Sequence, residues 1–382
     1  MDNPPLTLYI HVPWCRHKCP YCDFHSTATS APVPERIYVD ALLEDLDEEL
    51  RTPAVRRPIR SVFIGGGTPS LLSGAAIARL LTGVRARAPL VRHTEITLEA
   101  NPGTVDEKSL AAYLAAGVTR LSLGVQSLDV TQLRRLGRIH DPEQARAAVT
   151  GARRAGCTRI NLDLMFGLPQ QTLAQARADL AALLDLAPDH VAYYQLTIEP
   201  DTLFGRNPPP LPDEELCADM QEQGCEMLTK AGFTRYEVSA YARPGQQCRH
   251  HLNYWTFGDY LGLGAGAHGK HTNSSTGIIT RYVKQPAVRD YVFAPCSAMR
   301  RITARTLTED DLIVEFTLNA LRLVGGVSLD TFVRRTGLAV ERIAAPLARA
   351  RAAGLLIATP GRMRTTPRGL AVLDETIQFF FS

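Results

Sequence analysis

A repeated pentapeptide constrains the fold of this chain more than any other feature of its sequence. An Ala-Gly pair, one variable residue and Thr-Arg recur at residues 116–120, 155–159 and 231–235. Each copy follows an amphipathic stretch and precedes an apolar segment, and its glycine suits the positive φ of a helix C-terminus. The glycines are 39 and 76 residues apart, close to one and two periods of about 38. A helix, a glycine and a strand repeating at this period predict consecutive βα units.

Segments with the composition of strands alternate with helical stretches over most of the chain. They are residues 8–12, 60–64, 95–100, 121–125, 160–166, 191–198 and 236–240. This alternation predicts an α/β fold with a parallel sheet and right-handed crossovers. Six or seven units would be fewer than the eight of a closed TIM barrel. The pattern by itself leaves a partial, TIM-like barrel and a flat doubly wound sheet as alternatives.

The rhythm of the sequence changes near residue 306, where a smaller module begins. Three predicted helices, with caps at Thr308 and Ser328 for the first two, are followed by a hairpin candidate at 355–358 and 363–366. Three helices and a hairpin resemble a winged helix, so we expect an α+β domain there. The predicted division of the chain is a barrel at 1–245, a connecting segment at 246–305 and the winged-helix-like domain at 306–382.

Winged helices often bind DNA, but charge argues against nucleic acid as a partner here. The formal net charge is only +3. The predicted third helix carries Glu341 beside Arg342, Arg349 and Arg351, which makes a weak basic face. We therefore favour a packing or substrate-covering role for this module.

The chain has the composition of an ordinary globular protein, with 45% hydrophobic and 21% charged residues. The chain has no apolar run of about 18 residues, so no transmembrane helix is expected. Any membrane association would then be a peripheral contact. The first predicted strand begins soon after Met1, so no signal or transit peptide is expected. Cysteines without a framework pattern predict a reducing cytoplasm rather than a disulfide scaffold; they are Cys157, Cys217, Cys225, Cys248 and Cys296.

Three clustered cysteines follow the first predicted strand at C-x3-C-x2-C spacing. Cys15, Cys19 and Cys22 can turn their sulfurs toward one point, and thiolates in such a cluster select zinc or iron–sulfur centres. A zinc site normally has a fourth Cys or His ligand, whereas position 23 is Asp. One metal position is therefore left open. The alternatives are three thiols without a metal, or a zinc knuckle completed by His11, His17 or His25.

This spacing, with an aromatic residue before the last cysteine, resembles the radical S-adenosylmethionine (SAM) superfamily. The resemblance implies that the three cysteines hold three irons of a 4Fe-4S cluster and that SAM occupies the fourth iron. It also implies an electron donor for the cluster. A partial barrel is typical of that superfamily, so the resemblance favours the partial (βα)6–7 barrel over the flat sheet.

A glycine segment and several polar strand ends form the candidate SAM site. Gly65 to Pro69 read Gly-Gly-Gly-Thr-Pro after the second predicted strand, where glycines let a backbone approach a ligand closely. Polar side chains at the C-terminal ends of parallel strands face one shared site. The resemblance to the coproporphyrinogen-oxidase-like branch of radical SAM proteins implies SAM contacts for Tyr9, Gly66, Gly67, Thr68, Glu99, Gln126, Arg138 and Asp163.

A segment from Cys248 to Trp255, Cys-Arg-His-His-Leu-Asn-Tyr-Trp, narrows the resemblance further. It is similar to the HNxxYW signature of HemW-like haem chaperones, and so is the Gly-rich run from Gly258 to Gly269. The related oxidases have a further cysteine shortly after the third and a longer N-terminal extension, neither of which this chain has. The resemblance implies His250 as a haem-linked residue, although His251 replaces the signature's Asn.

Two other readings of these segments are weaker. A buried or surface structural histidine remains an alternative for His250, as does a Cys-x-His-His zinc site. Gly264-x-Gly266-x-x-Gly269 also matches a dinucleotide fingerprint, but the polar residues after it cannot form the helix that fingerprint requires.

Three functions are consistent with these observations. The favoured one is a haem chaperone that carries the cluster and SAM and transfers haem to an acceptor protein not identified by the sequence. The alternative is an oxygen-independent coproporphyrinogen III oxidase, which decarboxylates its substrate by radical SAM chemistry. The weakest is a winged-helix regulator that senses SAM or redox state.

Overall fold

A twelve-stranded sheet forms the centre of the computed structural model, which describes residues 3–381, and two separate two-stranded sheets account for the other four strands. The strands are β1 (Leu6–Val12), β2 (Trp14–Cys15), β3 (Thr27–Ala28), β4 (Ile59–Gly66), β5 (Leu90–Ala100), β6 (Arg120–Gln126), β7 (Ile160–Phe166), β8 (His190–Gln195), β9 (Thr234–Arg235), β10 (Ala240–Ala242), β11 (Asp259–Leu263), β12 (His268–Asn273), β13 (Ile278–Lys284), β14 (Arg301–Thr306), β15 (Val327–Ser328) and β16 (Arg362–Met363).

Helices connect these strands on the outside of the sheet and build the C-terminal module. They are α1 (Glu35–Glu49), α2 (Gly74–Arg87), α3 (Glu107–Ala116), α4 (Val130–Arg135), α5 (Pro142–Arg154), α6 (Leu173–Leu184), α7 (Leu203–Arg206), α8 (Glu214–Lys230), α9 (Arg249–Trp255), α10 (Val288–Val292), α11 (Glu309–Ala320), α12 (Leu329–Thr336), α13 (Glu341–Ala352), α14 (Pro367–Ala371) and α15 (Leu373–Gln378). None of the described helices is long and apolar enough to cross a membrane.

The sheet has the order β14-β13-β12-β11-β1-β4-β5-β6-β7-β8-β10-β9. Neighbours from β11 to β8 are parallel, and antiparallel strands extend the sheet at both ends. Among the described residues β9 and β14 do not pair, so the sheet is open. The predicted α/β fold with a parallel sheet is confirmed, and the carboxyl ends of its strands lie at one edge.

The repeated glycines end helices as predicted. Gly117, Gly156 and Gly232 have φ angles of 106°, 93° and 85°, values that strain any residue with a side chain. Each glycine directs the chain from a helix toward the next strand. Asp106 and Asp141 close capping boxes at the starts of α3 and α5, which satisfies amides that a helix start leaves free.

The predicted strand at 236–240 is wrong in position and direction. The chain instead turns at 236–239, and β10 runs antiparallel between β8 and β9. The Glu237 carboxylate accepts hydrogen bonds from the amide and hydroxyl of Ser239, both at 3.1 Å, which stabilises the turn. The pattern of apolar residues does not show that a side chain closes a turn here, and the sequence therefore predicted a strand.

A parallel strand lies where the sequence suggested only a connecting segment. β11 pairs with β1, and β12 to β14 continue the sheet from it. The glycines of β11 are more typical of a loop, so the sequence did not indicate a strand. A Cβ at Gly262 would stand 1.9 Å from the carbonyl oxygen of His268, so only glycine allows this close return of the chain. The bounds of the three predicted segments stay a prediction.

The C-terminal module has its own hydrophobic core, built around Phe316, Phe332, Ile343 and Leu347. Thr308 and Ser328 cap α11 and α12 as predicted. The predicted hairpin is reduced to a Leu356–Thr365 bridge, because β16 pairs mainly with β15. Three helices and a short antiparallel ladder agree with the predicted winged-helix-like α+β fold.

Candidate functional site

A short parallel ladder closes the loop that carries the three cysteines. Cys15 in β2 pairs with Ala28 in β3, so residues 16–26 form one compact excursion. The Lys18 ammonium donates to the carbonyl oxygens of Phe24 and Ser26 at 3.1 and 3.4 Å, which ties the loop to itself. Burial raises the pKa of Cys22, and the charges of Cys19 and Cys15 raise it further, so the three sulfurs interact.

The glycine segment packs directly against this loop. Amides of Gly67 and Thr68 donate to the carbonyl oxygens of Val12 and Trp14 at 2.8 and 2.7 Å. A Cβ at Gly67 would stand 2.7 Å from the Trp14 oxygen and 3.0 Å from the Cys15 sulfur. Glycine is therefore required at position 67 for the thiol loop and the glycine segment to meet. This close approach fits residues that would hold a cluster and its ligand.

Two carboxylates interact in the interior of the site, one at the end of β5 and one in the middle of β7, with β6 between these strands. Glu99 at the end of β5 accepts a hydrogen bond from the Gly66 amide at 3.1 Å. Burial, with a second contribution from Asp163, raises the pKa of Glu99 to about 7. Burial also raises the pKa of Asp163, which accepts a hydrogen bond from the Asn161 amide at 2.7 Å. Such a pair favours a cationic ligand, because a positive charge between the carboxylates would relieve their repulsion.

The side chains of Gln126 and Arg138 both approach Gly124. A Cβ at Gly124 would be 3.1 Å from the Gln126 amide nitrogen and 3.5 Å from an Arg138 guanidinium nitrogen. Arg138 reaches the cysteine loop, with Nη1 donating to the Cys19 sulfur at 3.6 Å and Nη2 to the Gly124 carbonyl at 2.8 Å. A guanidinium at this distance would stabilise a Cys19 thiolate, the form that binds iron.

Sequence reasoning missed two residues that support this site. The Tyr194 hydroxyl of β8 donates to the Gln126 side-chain oxygen at 2.7 Å and holds that side chain in place. Arg120 is buried, and its charge opposes the rise of the Asp163 pKa. Arg120 ends one copy of the repeated pentapeptide, so the sequence alone does not distinguish it from Arg159 and Arg235, which end the other two copies.

A cavity of about 440 Å³ opens beside the glycine segment. Its lining includes Tyr9, Gly66 and Glu99 from the predicted SAM site. Aromatic side chains from α9, β11 and their connection, together with an exposed one from the cysteine loop, form other walls: Tyr254, Trp255, Phe257, Tyr260 and Phe24. A volume and lining of this kind are typical of sites for organic cofactors.

His250 is fully buried and uses both ring nitrogens. Nδ1 lies 3.0 Å from the Ser61 hydroxyl, and Nε2 lies 2.8 Å from the Tyr254 hydroxyl. Burial lowers the pKa of His250 well below its usual value, so the ring is neutral. His251 is half-buried, and its pKa is lowered by burial and by Arg120. The sequence-based role of His250 in haem binding stays a prediction, and its observed contacts are those of a structural residue.

Mononuclear metal sites find no support in the side-chain arrangement. Within residues 3–381, no three Cys, His, Asp or Glu side chains are grouped so that they could hold one metal ion. This finding does not concern a 4Fe-4S cluster, in which each thiolate ligates a different iron.

Comparisons with known proteins define the class to which this fold and site belong. Residues 9–183 match the model of the Radical SAM superfamily, and residues 307–372 match that of the HemN C-terminal domain. The coproporphyrinogen III oxidase HemN from Escherichia coli, described as a radical SAM enzyme, superposes with a TM-score of 0.84. It is 24% identical, and the match covers 99% of this chain and 90% of that one. The partial barrel of a radical SAM protein is thereby confirmed.

Curated relatives place the chain more narrowly. Heme chaperone HemW of Escherichia coli strain K12 is 47% identical over 379 residues, which cover 99% of both chains. Heme chaperone HemW of Haemophilus influenzae is 43% identical over 382 residues, covering 99% of this chain and 98% of the relative. The chain belongs to the HemW family of radical SAM proteins, and membership of that superfamily implies a 4Fe-4S cluster and SAM.

Proposed function

We propose that this protein is a haem chaperone, which binds haem on its radical SAM scaffold and transfers it to an acceptor protein. The observation that carries the proposal is the similarity to Heme chaperone HemW over 99% of both chains. An aromatic cavity beside the predicted SAM residues supports it, since a porphyrin is a large, flat and mostly apolar ligand. We place the protein in the cytoplasm, with the acceptor and an electron donor as partners.

Cys15, Cys19 and Cys22 would hold the cluster, and the residues around Gly66 and Glu99 would hold SAM. The cluster, when bound, supplies an electron to its ligand. Arg138 would stabilise the thiolate of Cys19, at 3.6 Å from its sulfur. The carboxylates of Glu99 and Asp163 would attract the positively charged sulfonium of SAM. The Gly66 amide, which donates to Glu99, would keep that carboxylate oriented toward it.

Replacing Glu99 by Gln or Asp163 by Asn is expected to weaken SAM binding by about 1–3 kcal/mol. Each change removes the negative charge that would face the positively charged part of SAM in a buried site. Calorimetric titration of SAM into the anaerobically reconstituted protein measures this. Glu107→Gln, at an exposed position at the start of α3, is the matched control and should bind as the wild type does. Unchanged affinity in both site variants would remove these carboxylates from the SAM site.

The affinity for SAM should also depend on pH. Glu99 has a pKa of about 7, so its negative charge disappears as the pH falls through neutrality and the attraction for the sulfonium weakens. We expect weaker binding at about pH 6 than at about pH 8. The Glu99→Gln variant should lose most of this difference, and an equally steep profile in that variant would assign it to another group.

The oxidase is the second candidate, and the resemblance of the fold to HemN supports it. An anaerobic assay with SAM, a reductant and coproporphyrinogen III, with a haem titration in parallel, separates the two functions. We expect haem binding of about one per chain and no decarboxylation. Turnover of coproporphyrinogen III would favour the oxidase, and failure to bind haem would overturn the chaperone proposal.

A further inference from the structure

The histidines that line the cavity differ in how their ring nitrogens are used. His11 has both engaged, with Nδ1 at 2.9 Å from the Tyr9 hydroxyl and Nε2 at 2.8 Å from the His25 carbonyl. His25 directs Nε2 to the Pro286 carbonyl at 2.7 Å, and among the described residues no hydrogen bond to its Nδ1 occurs, so one nitrogen of this ring is free. His268 is exposed, and in the part of the chain that the structure describes no hydrogen bond to its ring occurs. A neutral imidazole with a free nitrogen at a cavity wall is a ready ligand for iron.

Glycines of the β11–β12 connection determine where His268 lies. Gly262 lets the His268 carbonyl return against β11, and a Cβ there would be 1.9 Å away. Gly266 has a φ of 77°, and a Cβ on it would stand 2.3 Å from the His25 ring. These glycines bring the cysteine loop and the start of β12 together at the cavity. The Gly-rich segment thus positions an imidazole.

The surroundings of His268 suit a flat apolar ligand that carries carboxylates. Phe24 is 60% exposed at the cavity, an unusual state for an aromatic side chain that nothing covers. Arg281 uses Nε, Nη1 and Nη2 to contact Glu315 and Tyr260. A guanidinium has five N–H donors, so two remain for a carboxylate. Tyr260 and Arg281 flank Lys270 on neighbouring strands of the same wall.

We propose that haem binds at the exposed side of this cavity, with its face against Phe24 and the aromatic residues of α9 and β11, and that His268 ligates its iron. The wall formed by Tyr9, Gly66 and Glu99 is left to SAM. The inference rests on the proposed haem function and moves the ligand away from His250. His250 would support the aromatic wall by holding the Tyr254 hydroxyl at 2.8 Å.

The test is a haem titration of the full-length, anaerobically reconstituted protein with SAM present. His268→Ala should shift the Soret band and weaken haem binding about tenfold or more. Added imidazole should restore the wild-type band position in that variant, which a merely structural defect would not allow. Phe24→Ala should weaken binding without moving the band. His251→Ala is the matched control, because this half-buried histidine of α9 is not part of the cavity lining.

The outcomes separate this inference from the proposed function. A wild-type protein that does not bind haem would overturn both. A wild type that binds haem while His268→Ala keeps its affinity and its Soret band would overturn the ligand assignment alone. A band shift in His250→Ala or His251→Ala, with none in His268→Ala, would return the ligand to α9, and a shift in His25→Ala alone would assign it to the cysteine loop.

Discussion

Replacement of Cys15, Cys19 and Cys22 together by alanine should abolish the iron–sulfur cluster. These thiols belong to one loop, closed by the β2–β3 ladder, and burial, Cys19 and Cys15 raise the pKa of Cys22. The remaining cysteines lie elsewhere: Cys157, Cys217 and Cys248 are buried, Cys225 contacts the Tyr241 hydroxyl at 2.7 Å, and Cys296 is exposed. Iron analysis and visible absorbance after anaerobic reconstitution should therefore find about four irons in the wild type and only stray iron in the variant.

A single variant, Cys296→Ala, is the control for that experiment. It removes an exposed thiol far along the chain and should retain the full iron content. Circular dichroism of both variants establishes that the fold survives. A triple variant that still bound about four irons would assign the cluster to other ligands.

The cysteine loop and the glycine segment could be predicted from the sequence because each is a short motif. The Cys15 loop and the Gly67 segment owe their geometry to neighbouring residues in the chain, so spacing and glycine content are visible directly. The strands that carry Glu99 and Asp163 follow from the βα periodicity, although Asp163 lies in the middle of β7 and not at the strand end that the sequence suggested. All of these predictions depend on local patterns, and the structure brings the residues to one edge of the sheet.

Features that depend on distant partners could not be predicted. His250 looks available in the sequence, yet the residue that engages its Nδ1 is Ser61, 189 positions away on β4. Strand β11 is hidden because its glycines resemble a loop, and its partner β1 lies at the other end of the barrel sequence. The prominence of His268 likewise becomes apparent only when the contacts of the other histidines are known.

The wall that carries β12 and β13 is fastened to the barrel by a buried ion cluster. Lys284 at the end of β13 donates to Asp45 and Glu49 of α1, both at 2.6 Å, and all three side chains are at most 1% exposed. Burial raises the pKa of Asp45 although Lys284 opposes this. Burial would also raise that of Glu49, but Lys284 and Arg301 outweigh it and hold its pKa below the usual value.

Lys284→Met should lower the free energy of unfolding by about 3–5 kcal/mol, since it leaves Asp45 buried without a cation and Glu49 with Arg301 alone. Urea unfolding of the reconstituted protein measures this. Lys230→Met is the control, because its exposed pair with Glu226 should contribute no more than about 0.5 kcal/mol. In Lys284→Met the carboxylates should have raised pKa values and bind protons more tightly when folded, so the deficit should shrink as the pH falls. A deficit under about 1 kcal/mol at neutral pH, or one that grew on acidification, would contradict the role of Lys284 in fastening this wall.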